Sequence, residues 1–240
     1  MPRVVTIDGP AGAGKSTVAR RLAHRLGWRF LDTGALYRAV TLAAIRLGVD
    51  LESDQALAEL AASLAVSLLP DRVLLNEEDV TSAIRGSEVT RSSRFVADSP
   101  GVRRRLMDWQ RGFAELGDTV TEGRDQGTIV FPHAFPKFFL TADEKERARR
   151  RHADLLARGE DCRFEAVLAD QRARDQRDAA RAIAPMKPAA GAELIDTTGK
   201  SIDEVVEELA ERIRSTVESP GCCTGTKGSA RSSFREPDPS

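Results

Sequence analysis

The apolar positions along this chain alternate between two periods. Short runs, Val4-Val5-Thr6-Ile7, Arg29-Phe30-Leu31-Asp32, Thr119-Val120-Thr121-Glu122, Lys137-Phe138-Phe139-Leu140 and Glu193-Leu194-Ile195-Asp196, read as five strands. Between them the spacing is helical. Val18, Leu22 and Leu26 share one face with Gly27 as cap, and Leu36, Val40 and Leu47 share another with Gly48 at its end. Strands that alternate with helices predict an α/β fold with a parallel sheet and ligands at the strands' carboxyl ends.

From about residue 49 the texture changes. Leu57, Leu60 and Leu64 suggest a helix, and the short β-prone pieces 66–69, 73–75 and 79–81 suggest a small antiparallel meander. A polar, arginine-containing segment follows at 88–98. Ser99-Pro100 then opens a helix that turns Val102, Leu106, Trp109 and Phe113 inward and ends before Gly117. Residues 49–116 therefore read as a lobe inserted into a core made of 1–48 and 117–218. In the second half of that core, Thr141-Ala142-Asp143-Glu144 fits a capping box ahead of a helix dense in arginine. Phe164, Val167 and Leu168 begin another helix, charged from Asp170 onward. Ser201 with Glu204 caps a last one, amphipathic through Ile202, Val205, Val206, Leu209 and Ile213. From Ser219 the composition turns to Gly, Ser, Pro and Thr, which predicts a disordered tail over 219–240.

Composition narrows the function. The 240 residues are 41% hydrophobic with a net charge of −1, so no overall positive field is available to hold nucleic acid. No apolar run is long enough to span a membrane, and Asp8 interrupts the first run too early for a signal peptide. Cys162, Cys222 and Cys223 form no disulfide framework and no metal-ligand spacing, which points to a reduced, cytoplasmic setting.

The stretch Gly9-Pro10-Ala11-Gly12-Ala13-Gly14-Lys15-Ser16-Thr17 directly after the first strand matches G-x-x-x-x-G-K-[ST], a phosphate-binding loop. Glycines let successive N–H groups turn inward around an anion, and a helix starting near Ser16 adds unpaired donors. Lys15 supplies a cation for the outer phosphates, and the Ser16 hydroxyl is placed to ligate Mg²⁺. Other polar groups gather after strands or on a late helix: Arg38 one turn past Thr33-Gly34, Arg124 and Asp125 after the third strand, and Arg174, Asp178 and Arg181 spaced to share a face. Arginines at that edge suggest a second anion facing the terminal phosphate of a nucleotide. Phosphoryl transfer is mainly positioning and charge neutralisation, so it suits such a site.

With Leu31-Asp32-Thr33-Gly34-Ala35-Leu36-Tyr37-Arg38, Glu122-Gly123-Arg124-Asp125-Gln126-Gly127-Thr128 and the segment 174–185, the chain resembles the bacterial cytidylate kinases from about residue 3 to about 215. The resemblance implies the P-loop nucleoside monophosphate kinase fold, a five-stranded parallel sheet flanked by helices, with an acceptor-binding insertion and a lid at about 143–165. It implies ATP-dependent, Mg²⁺-assisted phosphorylation of CMP and dCMP by direct transfer. Carried over residue by residue, 9–17 would hold ATP, and Thr33, Arg38 and Arg124 would surround the acceptor. Arg103 and Asp125 would read cytosine, whose N4 amine donates to a carboxylate while N3 and O2 accept from a guanidinium. Arg174 and Asp178 would hold the sugar, and Arg181 the base or phosphate. Arg147, Arg150 and Arg151 would close over the transferring group beside Lys15 and Arg124, and Glu122 would orient Mg²⁺ through water. Where the family usually has a sugar-contacting serine this chain has Arg94, expected to add a phosphate or sugar contact.

The same residues also fit a related P-loop kinase acting on UMP, AMP or shikimate, or a nucleotide-gated assembly factor. A GTP switch would need an N-K-x-D element, for which Thr226-Lys227-Gly228-Ser229 is no substitute. Nucleotides are the expected partners, with nucleic acid and membrane excluded and a monomer as the default.

Overall fold

A computed structural model describes residues 2–218. The predicted tail, with Cys222 and Cys223, lies outside the described residues.

Five strands form one parallel sheet in the order β2-β6-β1-β7-β8: β1 (Val4–Asp8), β2 (Arg29–Asp32), β6 (Thr119–Gly123), β7 (Lys137–Thr141) and β8 (Glu193–Asp196). β1 and β6 are buried almost end to end, as central strands covered on both faces must be. Register brings the functional ends level. Asp8 pairs with Gly123 and Asp32 with Glu122, so these three carboxylates and the loops after them lie at one edge.

Helices α1 (Lys15–Leu26) and α8 (Ile202–Glu218) pack together, and Val18, Leu22, Val205 and Leu209 join Val5, Ile7 and Phe138 in one core. Ser201 and Glu204 form the expected box: the Ser201 N–H donates to Glu204 at 2.8 Å and the Glu204 N–H to Ser201 Oγ at 3.2 Å. α2 (Thr33–Arg46) carries a second core that continues between β2 and β6 in sequence. It holds α3 (Asp54–Ser63), the antiparallel strands β3 (Val66–Leu68), β4 (Val73–Leu75) and β5 (Glu78–Asp79), then α4 (Ser87–Asp98) and α5 (Pro100–Glu115). Ser99 caps α5 by accepting the Val102 N–H at 3.2 Å, with Pro100 at its start as predicted. After β7 come α6 (Glu144–Leu156) and α7 (Phe164–Ala180), packed on each other.

Several expectations are corrected. Leu47 is 66% exposed, because α2 stops at Arg46 and the left-handed Gly48 turns the chain before Leu47 can reach the core face. The box at 141–144 does not form. Thr141 is still paired in β7, so the cap falls to Asp143, which accepts the Lys145 and Glu146 N–H groups at 3.0 and 3.1 Å. The polar segment 88–98 is helical, buried through the widely spaced Val89 and Val96. The third meander strand ends at Asp79, and Thr81 caps its neighbour by accepting the Val73 N–H at 2.9 Å. Arg181 lies just past α7, not on it.

Candidate active site

Three glycines shape the loop after β1. Gly9 (φ 144°), Gly12 (φ 78°) and Gly14 (φ 84°) hold backbone that side chains rarely adopt. A Cβ on Gly9 would lie 2.0 Å from the Leu140 carbonyl oxygen, and one on Gly12 would lie 2.9 Å from that of Arg147. The loop is thus wedged between β7 and α6. α1 begins at Lys15 directly after the loop with no side-chain cap, so its first N–H groups lack intrahelical partners.

Lys15 is buried and donates to the Pro10 carbonyl at 2.7 Å. Burial first, then the charges of Arg124 and Arg174, push its pKa down to about 7. The Ser16 hydroxyl donates to Glu122 at 3.1 Å, and burial, then Asp32, push the Glu122 carboxyl up. A hydroxyl beside a buried carboxylate is a hard oxygen donor pair, which fits Mg²⁺.

Opposite this loop the cations converge without enough anions to match. Burial, then Arg124, lowers Arg174 to about 10, with Arg38 and Arg151 adding to the repulsion. Among the described residues, neither the Arg174 nor the Arg151 side chain makes a hydrogen bond or ion pair. The Arg38 Nε is buried without a partner, and its Nη2 lies 3.9 Å from Asp32. Arg124 donates to Asp178 at 3.0 Å. Burial alone would raise Asp178, yet Arg124, Arg181 and Arg174 hold it below the usual carboxylate range. Partly buried like charges left in this state could hold an anion.

Beside that cluster Arg103 and Asp125 ion-pair, each more than nine-tenths buried. Arg103 also donates to the Ala97 carbonyl at 3.1 Å and lies 5.9 Å from the Tyr37 ring centroid. Arg181 closes the edge with ion pairs to Asp98 at 2.6 Å and Asp178 at 2.8 Å. Thr33 Oγ1 donates to the Glu122 carbonyl at 2.7 Å.

The family model described as cytidylate kinase matches residues 5–215. A cytidylate kinase of Exiguobacterium sp. is 46% identical over 213 residues, 87% of this chain and 95% of that protein. One from Pseudomonas aeruginosa is 49% identical over 212 residues, 86% of this chain and 93% of that one. The chain belongs to the cytidylate kinase family. A crystal structure of an uncharacterized protein from Eubacterium ventriosum shares the fold, with a TM-score of 0.52 at 12% identity over 90% of this chain and 99% of that chain.

The residues expected from the cytidylate kinase resemblance do not all meet in one place. Lys15, Arg38, Arg124, Arg174, Asp178 and Arg151 converge, with Arg103, Asp125 and Arg181 beside them. Two of the three α6 arginines expected at the site, Arg147 and Arg150, are engaged elsewhere in this conformation. Arg147 donates to the Ala11 carbonyl at 2.9 Å and the Ala142 carbonyl at 3.1 Å, and it pairs with Asp175. Arg150 donates to Thr197 Oγ1 and its carbonyl at 3.1 and 2.8 Å. Both brace the framework around the donor loop. Arg94 is exposed on α4 with its guanidinium 4.5 Å from the Phe95 centroid, apart from the convergent cluster.

Sequence reasoning missed Asp175, Gln171 and Asp8. Asp175 accepts the Ala11 N–H at 3.3 Å, while Gln171 donates to the Ala11 carbonyl at 3.2 Å, so α7 holds the two peptide groups on either side of Ala11. Asp8 accepts from Gln126 and Gly127. A lone carboxylate or amide has no local pattern that would have singled these out; Asp175 was visible only as the neighbour of Arg174.

Proposed function

We propose that this chain transfers the terminal phosphoryl group of ATP to CMP and dCMP, giving CDP and dCDP. The observation that carries this reading is the convergence of Arg38, Arg124, Arg151 and Arg174, under-neutralised and mostly buried, on the side of the cleft facing Lys15. Two polyanions can be seated head to head only where such cations screen them. Residues 9–17 hold the ATP phosphates, Arg38 and Arg124 grip the acceptor phosphate, and Arg174 and Asp178 hold the sugar. The acceptor phosphate is already anionic, so no general base is required. Ser16, with Glu122 through water, would hold Mg²⁺, which supplies charge neutralisation at the phosphates.

Arg103 and Asp125 address the base. In the free protein they satisfy each other, and cytosine takes the place of that mutual contact: its amine donates to Asp125 and its ring acceptors receive from Arg103. Uracil offers Asp125 a carbonyl instead, which leaves two acceptors opposed. Residues 49–116 form the acceptor lobe and 143–165 the lid. We also propose a cytoplasmic monomer, since both nucleotide sites are built from one chain; among the described residues no helix is long and apolar enough to cross a membrane.

An ADP-release assay across CMP, dCMP, UMP, AMP and GMP tests the reading. Wild type is expected to turn over CMP and dCMP best. Asp125→Ala is expected to lose CMP turnover by at least about tenfold, the cost of one buried unpaired group, while keeping UMP turnover. Equal losses on both would reject the base-reading role, and a preference for AMP or GMP would reject the acceptor.

A further inference from the structure

Asp8 is 2% exposed at the carboxyl end of β1, immediately before the phosphate-binding loop. Each of its carboxylate oxygens serves a different backbone donor: Oδ1 accepts the Gln126 N–H at 3.0 Å and Oδ2 the Gly127 N–H at 2.8 Å. Those amides directly follow Asp125 and open the turn Gln126–Val130. The far end of the turn is also held. The Ile129 N–H donates to the Asp125 carbonyl at 2.9 Å, and Arg111 donates to the Val130 carbonyl at 3.0 Å. A Cβ on Gly127 would sit 2.9 Å from Thr6 Oγ1, so the turn lies directly on β1. Asp8 is itself fixed by the sheet, in register with Gly123 on one side and Phe139 on the other.

We propose that Asp8 is a positioning residue for base selection, holding the Gln126 and Gly127 amides so that Asp125 meets the acceptor's base at a set place relative to the donor loop. This rests on the reading of Asp125 as the cytosine partner. The requirement is for a carboxylate in particular. Each N–H here meets its own oxygen, and an amide of the same size would set an NH₂ donor against one of them. Burial pushes the Asp8 pKa up to about 6 against the two backbone bonds that lower it, so both oxygens still accept at neutral pH. One short side chain thus ties the strand that carries the donor loop to the turn that carries the base reader.

The test compares wild type, Asp8→Asn and Asp125→Ala for ADP release with CMP, UMP and ATP varied in turn, alongside amide exchange. Asp8→Asn is expected to raise the CMP KM about tenfold, from one buried donor left unpaired, and to lower the CMP-over-UMP ratio of kcat/KM. The ATP KM should stay within about threefold, and the Gln126 or Gly127 amide should exchange faster. If Asp125→Ala collapses the CMP-over-UMP ratio and Asp8→Asn leaves it at the wild-type value, the Asp8 proposal is overturned alone. If Asp125→Ala leaves the ratio intact, the cytosine reading fails and takes this proposal with it. Equal rises in the CMP and ATP KM would mean a general structural role and also overturn it. Should Asp8→Asn not fold, the free wild-type protein decides. Its Gln126 and Gly127 amides must exchange more slowly than solvent-facing loop amides before any nucleotide is added, and fast exchange there overturns the proposal.

Discussion

Lys15 sits in a basic cleft with its pKa pushed down to about 7, by burial first and then by Arg124. Between that value and its ordinary 10.5 the folded chain binds less proton at Lys15 than the unfolded chain does. Stability therefore falls as pH drops through this window. A bound polyphosphate reverses the balance, because an anion beside the ammonium raises its pKa. ATP binding at pH 8 is thus expected to take up a proton, a substantial fraction of about one per site. Calorimetry in two buffers of different protonation enthalpy measures this, and Lys15→Met should abolish the buffer dependence; identical heats in wild type would mean Lys15 is already charged. At this scale the sequence was legible where the chemistry is contiguous. Gly9 to Thr17 declares itself because a phosphate cradle is built from consecutive amides and one lysine. Asp8 and Asp175 do not, since each acts on backbone more than 100 residues away in the chain.

Among the elements, α3 and α5 cross at Gly101, where a Cβ would lie 2.5 Å from the Ala58 Cβ. Helix propensity favours Ala over Gly by about 1 kcal/mol, but overpacking costs about 1–3 kcal/mol. Packing wins, so Gly101→Ala is expected to destabilise the chain in urea unfolding. Gly112 lies in the same helix with nothing within 4 Å of an added Cβ. Gly112→Ala should stabilise it by up to about 1 kcal/mol. If the two variants behaved alike, helix contact would not be the deciding factor. The five strands of the parallel sheet were readable because each is a short β-prone run bounded by turn residues. Helix α4 was not, because a stripe of Val89 and Val96 a full two turns apart is too sparse to register as a face. The α6 cap was misplaced for a related reason: Thr141 satisfies the local box, but sheet pairing to Asp196 claims its backbone first.

Over the whole molecule the net charge is only −1, yet the proposed acceptor cleft concentrates Arg38, Arg124, Arg151 and Arg174. A monophosphate entering it is drawn by a local field that added salt screens, with a Debye length of about 10 Å at 0.1 M and about 3 Å at 1 M. The CMP KM is expected to rise several-fold between these ionic strengths, measured with ATP and Mg²⁺ held saturating. A flat response would mean the arginines act only through contact. What the sequence determined by itself was whatever depends on near neighbours: the alternation of strand and helix, the phosphate cradle, the caps at Ser99 and Ser201, and the cationic residue types suited to two anions. What tertiary structure decided was which distant groups share a boundary. Parallel pairing sets Asp8 level with Gly123 and Asp32 level with Glu122, and the packing of α6 on α7 places Arg147 and Arg150 on the framework and leaves Arg151 without an ion pair beside Arg174. Local propensity acts over a few residues, whereas the direction and partner of a charged side chain follow from the register of strands far apart in the chain and the burial it imposes.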